Sequence, residues 1–197
     1  MEEERLLGNE HLKEYLKTAC SSGKFSHAYM ICGPESSGKS TFAKMLCKAI
    51  LCRGAARPCG RCSDCRKVEK GIHPDLRTVE RTADKKSILV DQIREIAADI
   101  AVIPNEADRK VYVIRDAETM NIQAQNAMLK FLEEPPEYAV VILCATEPEA
   151  LLETIRSRCV VLKMAPLTER ELYGALKARF PDKPEEELRQ AALSGFM

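Results

Sequence analysis

The chain has 197 residues, 45% hydrophobic and 30% charged, enough for a buried core in one large domain or in one domain plus part of a second. Its 30 basic residues balance 30 acidic ones, which excludes a generally polycationic nucleic-acid binder. The acidic start, Met1-Glu2-Glu3-Glu4, lacks the apolar core of a signal peptide, and no apolar run could span a bilayer, so the expected compartment is the cytosol.

In chain order, Leu12 to Ala19 reads as a short helix and Ala28 to Cys32 as a buried strand. The strand runs into Gly33-Pro34-Glu35-Ser36-Ser37-Gly38-Lys39-Ser40, a complete phosphate-binding loop, and Thr41 opens a helix to Leu51. Glycines there let backbone N–H groups curl around a polyphosphate, and the helix N-terminus adds partial positive charge. Lys39 is expected to reach the outer phosphates and the Ser40 hydroxyl to hold Mg²⁺. An ordinary glycine-bearing turn is the bland alternative, but strand, spacing and helix all fit a nucleoside triphosphate such as ATP.

Nine cysteines follow two patterns. Cys20, Cys32, Cys47, Cys144 and Cys159 are dispersed, several in apolar runs, and read as small buried hydrophobes. Cys52, Cys59, Cys62 and Cys65 cluster as C-x₆-C-x₂-C-x₂-C, with Pro58 and Gly60 allowing tight turns. Two-residue gaps let thiolates converge on one ion, and four sulfurs specify a closed tetrahedral zinc site that staples a loop. Disulfides and an iron–sulfur cluster are the rival readings; a reducing compartment argues against the first, and nothing else suggests redox work. With four thiolates available, His11 and His73 read as surface or structural residues.

Beyond the cysteines, Asp75 to Glu80 reads as a strand and Val90 to Ile103 as an amphipathic helix stopped near Pro104. Arg77, Arg81 and Lys85-Lys86 are too scattered for a binding stripe and read as a solvated face. Val111 to Ile114 is a continuous apolar run, as in a buried parallel strand. Asn121 can cap a helix to about Glu134, ended by Pro135-Pro136. Val140 to Ala145 and Val160 to Leu162 are two more strands. The alternation predicts an α/β fold, a parallel sheet flanked by helices.

After Ala165-Pro166 strands stop. Thr168-Glu169-Arg170-Glu171 is a capping box for a helix through about Ala178, and Asp182 to Leu193 suggests another. The expected organisation is a nucleotide-binding domain over 1–166, with its zinc module at 52–65, and the beginning of a helical lid over 167–197. Two helices make a poor independent core, so the end at Gly195-Phe196-Met197 suggests a shortened chain.

The phosphate loop and the cysteine insertion are joined by Asn126-Ala127-Met128-Leu129-Lys130-Phe131-Leu132-Glu133-Glu134-Pro135-Pro136. This closely resembles the N-A-L-L-K-x-L-E-E-P-P signature of bacterial DNA polymerase III clamp-loader subunits, which are AAA+ proteins. Ser157-Arg158-Cys159 matches that family's S-R-C motif, and Ala145-Thr146-Glu147-Pro148 resembles its sensor 1 segment. The likeness runs from Leu6 to Pro166. By resemblance, Gly33 to Thr41 and Thr146 are nucleotide-binding residues, although Thr146 could equally bond local backbone.

In the family's gamma and tau motors an Asp-Glu pair ends the strand before the signature helix. Here Arg115 takes the Asp position and Asp116 the Glu position. A cation in place of a metal-adjacent carboxylate damages phosphoryl transfer more than nucleotide binding. That departure, the Asp116-Ala117 pair and Gly71-Ile72-His73-Pro74-Asp75 resemble the delta-prime type, the family's non-hydrolysing subunit. The resemblance implies ATP binding without hydrolysis and an arginine finger, Arg158, offered to an adjacent gamma or tau subunit. It also implies delta as a partner, with the sliding clamp and primer–template DNA reached through the assembly. A surface Arg158 paired with Glu153 is the bland reading. An active gamma/tau-type ATPase and a zinc-stapled nucleic-acid adaptor without nucleotide are the rival functions. Glu133 and Glu134 sit against the helix dipole, where they either meet a neighbour's basic group or stay solvated.

Overall fold

The structure, a computed structural model, describes residues 6–81 and 87–194. Met1-Glu2-Glu3-Glu4, Lys85-Lys86 and Gly195-Phe196-Met197 lie outside the described residues. Five parallel strands form one sheet in the order β2-β3-β4-β1-β5. They are β1 (Ala28–Cys32), β2 (Leu76–Val79), β3 (Lys110–Ile114), β4 (Ala139–Ala145) and β5 (Val160–Lys163). Every residue of β1, β3 and β4 is buried, which is why each reads as an unbroken apolar run in the sequence.

Alternation along the strands feeds two cores. Tyr29 and Ile31 of β1 pack with Leu12 and Leu16 of α1 (Glu10–Ser22) and with Phe42 and Leu46 of α2 (Lys39–Leu51). Ala28 and Met30 face the opposite way. They pack with Ile93 and Ile96 of α4 (Val90–Ile100) and Met128 and Leu132 of α5 (Ile122–Glu133). Each large apolar side chain so buried contributes about 1.5–3 kcal/mol. The turn before α1 is tied to the segment after β5: Asn9 Oδ1 accepts from the Ala165 N–H at 2.7 Å, and its amide donates to the Ala165 carbonyl at 3.2 Å.

Several boundaries move from the sequence reading. Helix α4 ends at Ile100, because Val102 and Ile103, which extend its apolar pattern, are exposed. A helix that the cysteine spacing does not reveal, α3 (Ser63–Glu69), runs through the fourth cysteine and starts on Cys62, whose sulfur accepts the Cys65 N–H. Asn121 caps α5 by accepting the Ala124 N–H at 2.8 Å. The short α6 (Glu153–Arg156) precedes β5, and Thr168 caps α7 (Glu169–Arg179) in a capping box with Glu171. Helix α8 (Glu185–Ser194) begins only after Pro184, three residues later than Asp182. No helix among the described residues is long and apolar enough to cross a membrane.

Candidate nucleotide site and cysteine cluster

The strand register brings Cys32, Ala145 and Lys163 level, with Ile114 level with Leu143. Everything that follows a strand therefore meets at one edge of the sheet, where open α/β sheets bind ligands. The phosphate loop leaves β1 there. Gly33 has no room for a side chain: a β-carbon would stand 2.8 Å from Met164 Cβ and 2.9 Å from its carbonyl oxygen. Gly38 adopts φ 92°, open to glycine, as the loop turns into α2. Met164 belongs to this wall, its N–H donating to the Cys32 carbonyl at 2.6 Å.

Lys39 begins α2 and folds back over the loop. Its ammonium donates to the carbonyls of Gly33 and Pro34, each at 2.8 Å, and to Thr146 Oγ1 at 3.0 Å. Strand β4 thus delivers Thr146 to the lysine that a phosphate would engage. The Thr146 backbone N–H donates to Glu118 Oε1 at 3.1 Å, while Glu118 Oε2 is buried without a partner. These groups line a cleft of about 540 Å³, within the size range of small-ligand sites. Of the residues predicted for the nucleotide, Glu35, Ser36, Gly38, Lys39, Ser40 and Thr146 line it. Gly33 and Pro34 supply carbonyls to the lysine; Ser37 is buried behind the loop; Thr41 is outside the lining.

Past β3 the two residues that replace the motor's acidic pair diverge. Arg115 lines a neighbouring cleft with Ser40 and Lys44 and donates to Glu80 at 3.1 Å. Asp116 turns into the phosphate cleft from a left-handed backbone, φ 47°. Arg81, which the sequence places on a solvated face, lines the same cleft, its Nε 3.7 Å from Asp116 Oδ2. Neither Arg81 nor Glu118 carries a motif; only the topology brings them in.

Arg158 is outside this cleft, just beyond α6. Its guanidinium donates to Glu133 Oε1 at 2.8 Å and to the Thr154 carbonyl at 2.9 Å, so its ionic partner is on α5 and is not Glu153. Glu133 therefore has a basic partner within its own chain. Helix α6 is held to α5 by the buried Gln125, which accepts the Leu152 N–H at 2.8 Å and donates to the Ala150 carbonyl at 3.3 Å.

The four clustered cysteines do converge. Their sulfurs lie within 4.8 Å of one another, with Cys52 and Cys62 sulfurs 3.8 Å apart. A tetrahedral zinc site with Zn–S of about 2.3 Å needs sulfurs ~3.8 Å apart. Backbone N–H groups of Gly54, Cys62 and Cys65 already point at the sulfurs of Cys52, Cys59 and Cys62, at 3.3, 3.3 and 3.4 Å. Such bonds favour thiolate: the N–H of Arg61 leads in drawing the Cys59 thiol down to about 6, against some burial. All nine cysteines are free thiols, and the donor set fits zinc. Burial raises the Cys144 and Cys159 thiols to about 12, as expected of inert core residues.

Behind the cluster, Arg53 grips Asp64 with two bonds of 3.0 and 2.9 Å. His73 is buried, accepting the Asp75 N–H at Nδ1. Asp64, His73 and Glu106 also approach one another, but Arg53 and Lys67 already neutralise the two carboxylates, so the group is an ion-pair network. His11 lies apart from it, its Nε2 2.9 Å from the Lys163 carbonyl.

A parallel sheet with a phosphate-loop motif after its first strand and a threonine from β4 on the loop lysine is the α/β fold of the AAA+ class. Solved structures agree in fold. A gamma-subunit-related DNA polymerase III protein of Thermotoga maritima superposes with a TM-score of 0.56 at 24% identity, over 91% of this chain and 56% of that one. The Holliday junction branch migration motor RuvB of Thermotoga maritima gives 0.61 at 16% identity, over 94% and 56%. The sequence profile described as "DNA polymerase III, delta subunit" matches residues 8–168, and the chain belongs to that family.

Among its relatives, the delta' subunit of Pseudomonas aeruginosa is 38% identical, over 86% of this chain and 53% of the relative. The delta' subunit of Bacillus subtilis is 36% identical, over 82% and 49%. The tau subunit of Bacillus subtilis is 35% identical, over 88% and 31%. This chain thus spans from about a third to about half the length of these relatives.

Proposed function

We propose that the chain is a delta-prime-type subunit of the DNA polymerase III clamp loader, one that binds ATP without hydrolysing it. The observation that carries this reading is the end of β3. Arg115, in the place of the motor's metal-adjacent carboxylate, lines a cleft with Ser40, the hydroxyl expected to hold Mg²⁺. An arginine there offers a divalent cation no carboxylate, and its own charge is engaged by Glu80, whereas the phosphate loop keeps its full set of binding groups.

In this reading Cys52, Cys59, Cys62 and Cys65 hold a structural zinc, and residues 167–197 begin a helical lid. Arg158 is the finger offered to a gamma or tau neighbour in a cytosolic assembly with delta, where the sliding clamp is opened for primer–template DNA. An arginine supplied in trans accelerates phosphoryl transfer by roughly 10³–10⁵ in other NTPases. Glu133 and the Thr154 carbonyl hold that guanidinium, and a neighbour's phosphates would have to draw it away from them.

A second reading, an active gamma/tau-type ATPase, is favoured by the two carboxylates Asp116 and Glu118 in the cleft and by the likeness to tau. ATP binding and single-turnover hydrolysis of the chain with Mg²⁺, with Lys39→Ala as control, separate the two. Binding lost in Lys39→Ala, with no turnover, is the expected result. Turnover that depends on Lys39 selects the motor instead. Neither binding nor turnover leaves the chain a structural partner whose loop is a relic.

A further inference from the structure

We propose that Arg81 is a nucleotide-binding residue, gripping the outermost phosphate of a nucleoside triphosphate from within the same subunit. This rests on the cleft being a nucleotide site.

The charge inventory of the cleft motivates it. Its lining carries four carboxylates, Glu35, Asp116, Glu118 and Glu147, and two cations, Lys39 and Arg81. A triphosphate adds several negative charges to that surplus, more than one lysine and a Mg²⁺ at Ser40 would offset. Arg115 does not help, since it lines the neighbouring cleft and is bonded to Glu80. Arg81 is therefore the second positive charge available where the phosphates must lie.

Its position suits the outer phosphate. Arg81 follows β2, at the edge of the sheet beyond β3, and reaches back across the strand ends to within 3.7 Å of Asp116. Lys39 marks the outer phosphates of a P-loop, and here its ammonium leans towards the end of β4 at Thr146. Asp116 and Thr146 follow adjacent strands, so Arg81 enters on the side towards which the lysine leans. The partner it now has is easily exchanged. Both side chains of the Arg81–Asp116 pair are about half exposed, at 46% and 48%, and 3.7 Å is a loose contact. A phosphate offers the planar guanidinium a two-pronged match, whereas Asp116 meets it through a single loose approach of 3.7 Å. Arginine thus trades a weak internal anion for a stronger incoming one, and ATP, with its third phosphate, gains more than ADP.

Calorimetric titration of the chain with ATP and with ADP tests this, using wild type, Arg81→Gln, Arg81→Lys and Lys39→Ala. Arg81→Gln is expected to weaken ATP about tenfold, the scale of a charge-assisted phosphate contact, and to leave ADP little changed. Arg81→Lys should restore part of the ATP affinity, and Lys39→Ala should weaken both nucleotides. The side chain is half exposed, so unchanged melting temperatures are expected to show that the variants fold. The proposal is overturned if Arg81→Gln leaves ATP affinity intact, or weakens ATP and ADP equally. A wild-type chain that binds neither nucleotide overturns the reading of the cleft itself. Loss on Lys39→Ala alone leaves that reading standing and removes Arg81 from it.

Discussion

Asp75 illustrates how one buried charge is tolerated. It is 2% exposed, between the cysteine module and β2. Its carboxylate accepts the backbone N–H groups of Asn105, Glu106 and Ala107 at 2.6, 2.8 and 2.9 Å, pinning the loop after α4. Burial opposes its ionisation, but these three amides prevail and hold the carboxyl below the ordinary carboxylate range. The folded-state value is thus below the unfolded one, so the stabilisation is complete above about pH 4 and fades as pH falls through the lower folded value. Replacing Asp75 with Asn turns an N–H₂ group towards donors and is expected to cost about 2 kcal/mol at neutral pH. Urea unfolding of both proteins should show the difference shrinking in acid; a pH-independent difference would count against the carboxylate.

Among the elements, the cysteine module adds sulfur and ion-pair contacts to its hydrophobic burial, which Val68 of α3 supplies. Its coil and α3 are held by sulfur geometry and by Arg53–Asp64, whereas the sheet is held by two apolar cores. Cys62→Ser, or a strong chelator, is expected to release about one zinc per chain and raise amide exchange over residues 52–70, leaving β1, β3 and β4 protected. A chain that carries no zinc, or a sheet that exchanges as fast as the module, would refute this division.

The same contrast decides what was legible beforehand. Strands β1, β3 and β4 are dry on both faces, so their apolar runs announce them to within a residue. Helix α3 has seven residues among cysteines, too short for a periodicity, and capped by a sulfur that no capping rule anticipates. The end of α4 misleads because Val102 and Ile103 are apolar but face outward. The phosphate loop is contiguous and hence visible, whereas Arg81, Glu118 and the Arg158–Glu133 pair depend on which strands become neighbours.

Taken as one object, the molecule has its phosphate loop wedged between β1 and the segment that leaves β5. Met164 fills the space a side chain on Gly33 would need and packs near Gly38, and Ala165 is bound to Asn9. Three residues later Thr168 caps α7. Nucleotide seated in the loop is therefore expected to change the rate of tryptic cleavage at Lys163 or Arg170, and Lys39→Ala should abolish that change; identical digestion with and without ATP would show the two parts to be uncoupled. Mechanically, Met164 is a pliable wedge: its backbone is fixed to the end of β1, and its side chain lies against both glycines of the loop. If the digestion responds to ATP, the short stretch from Met164 to Thr168 is the path by which a change in the loop reaches α7.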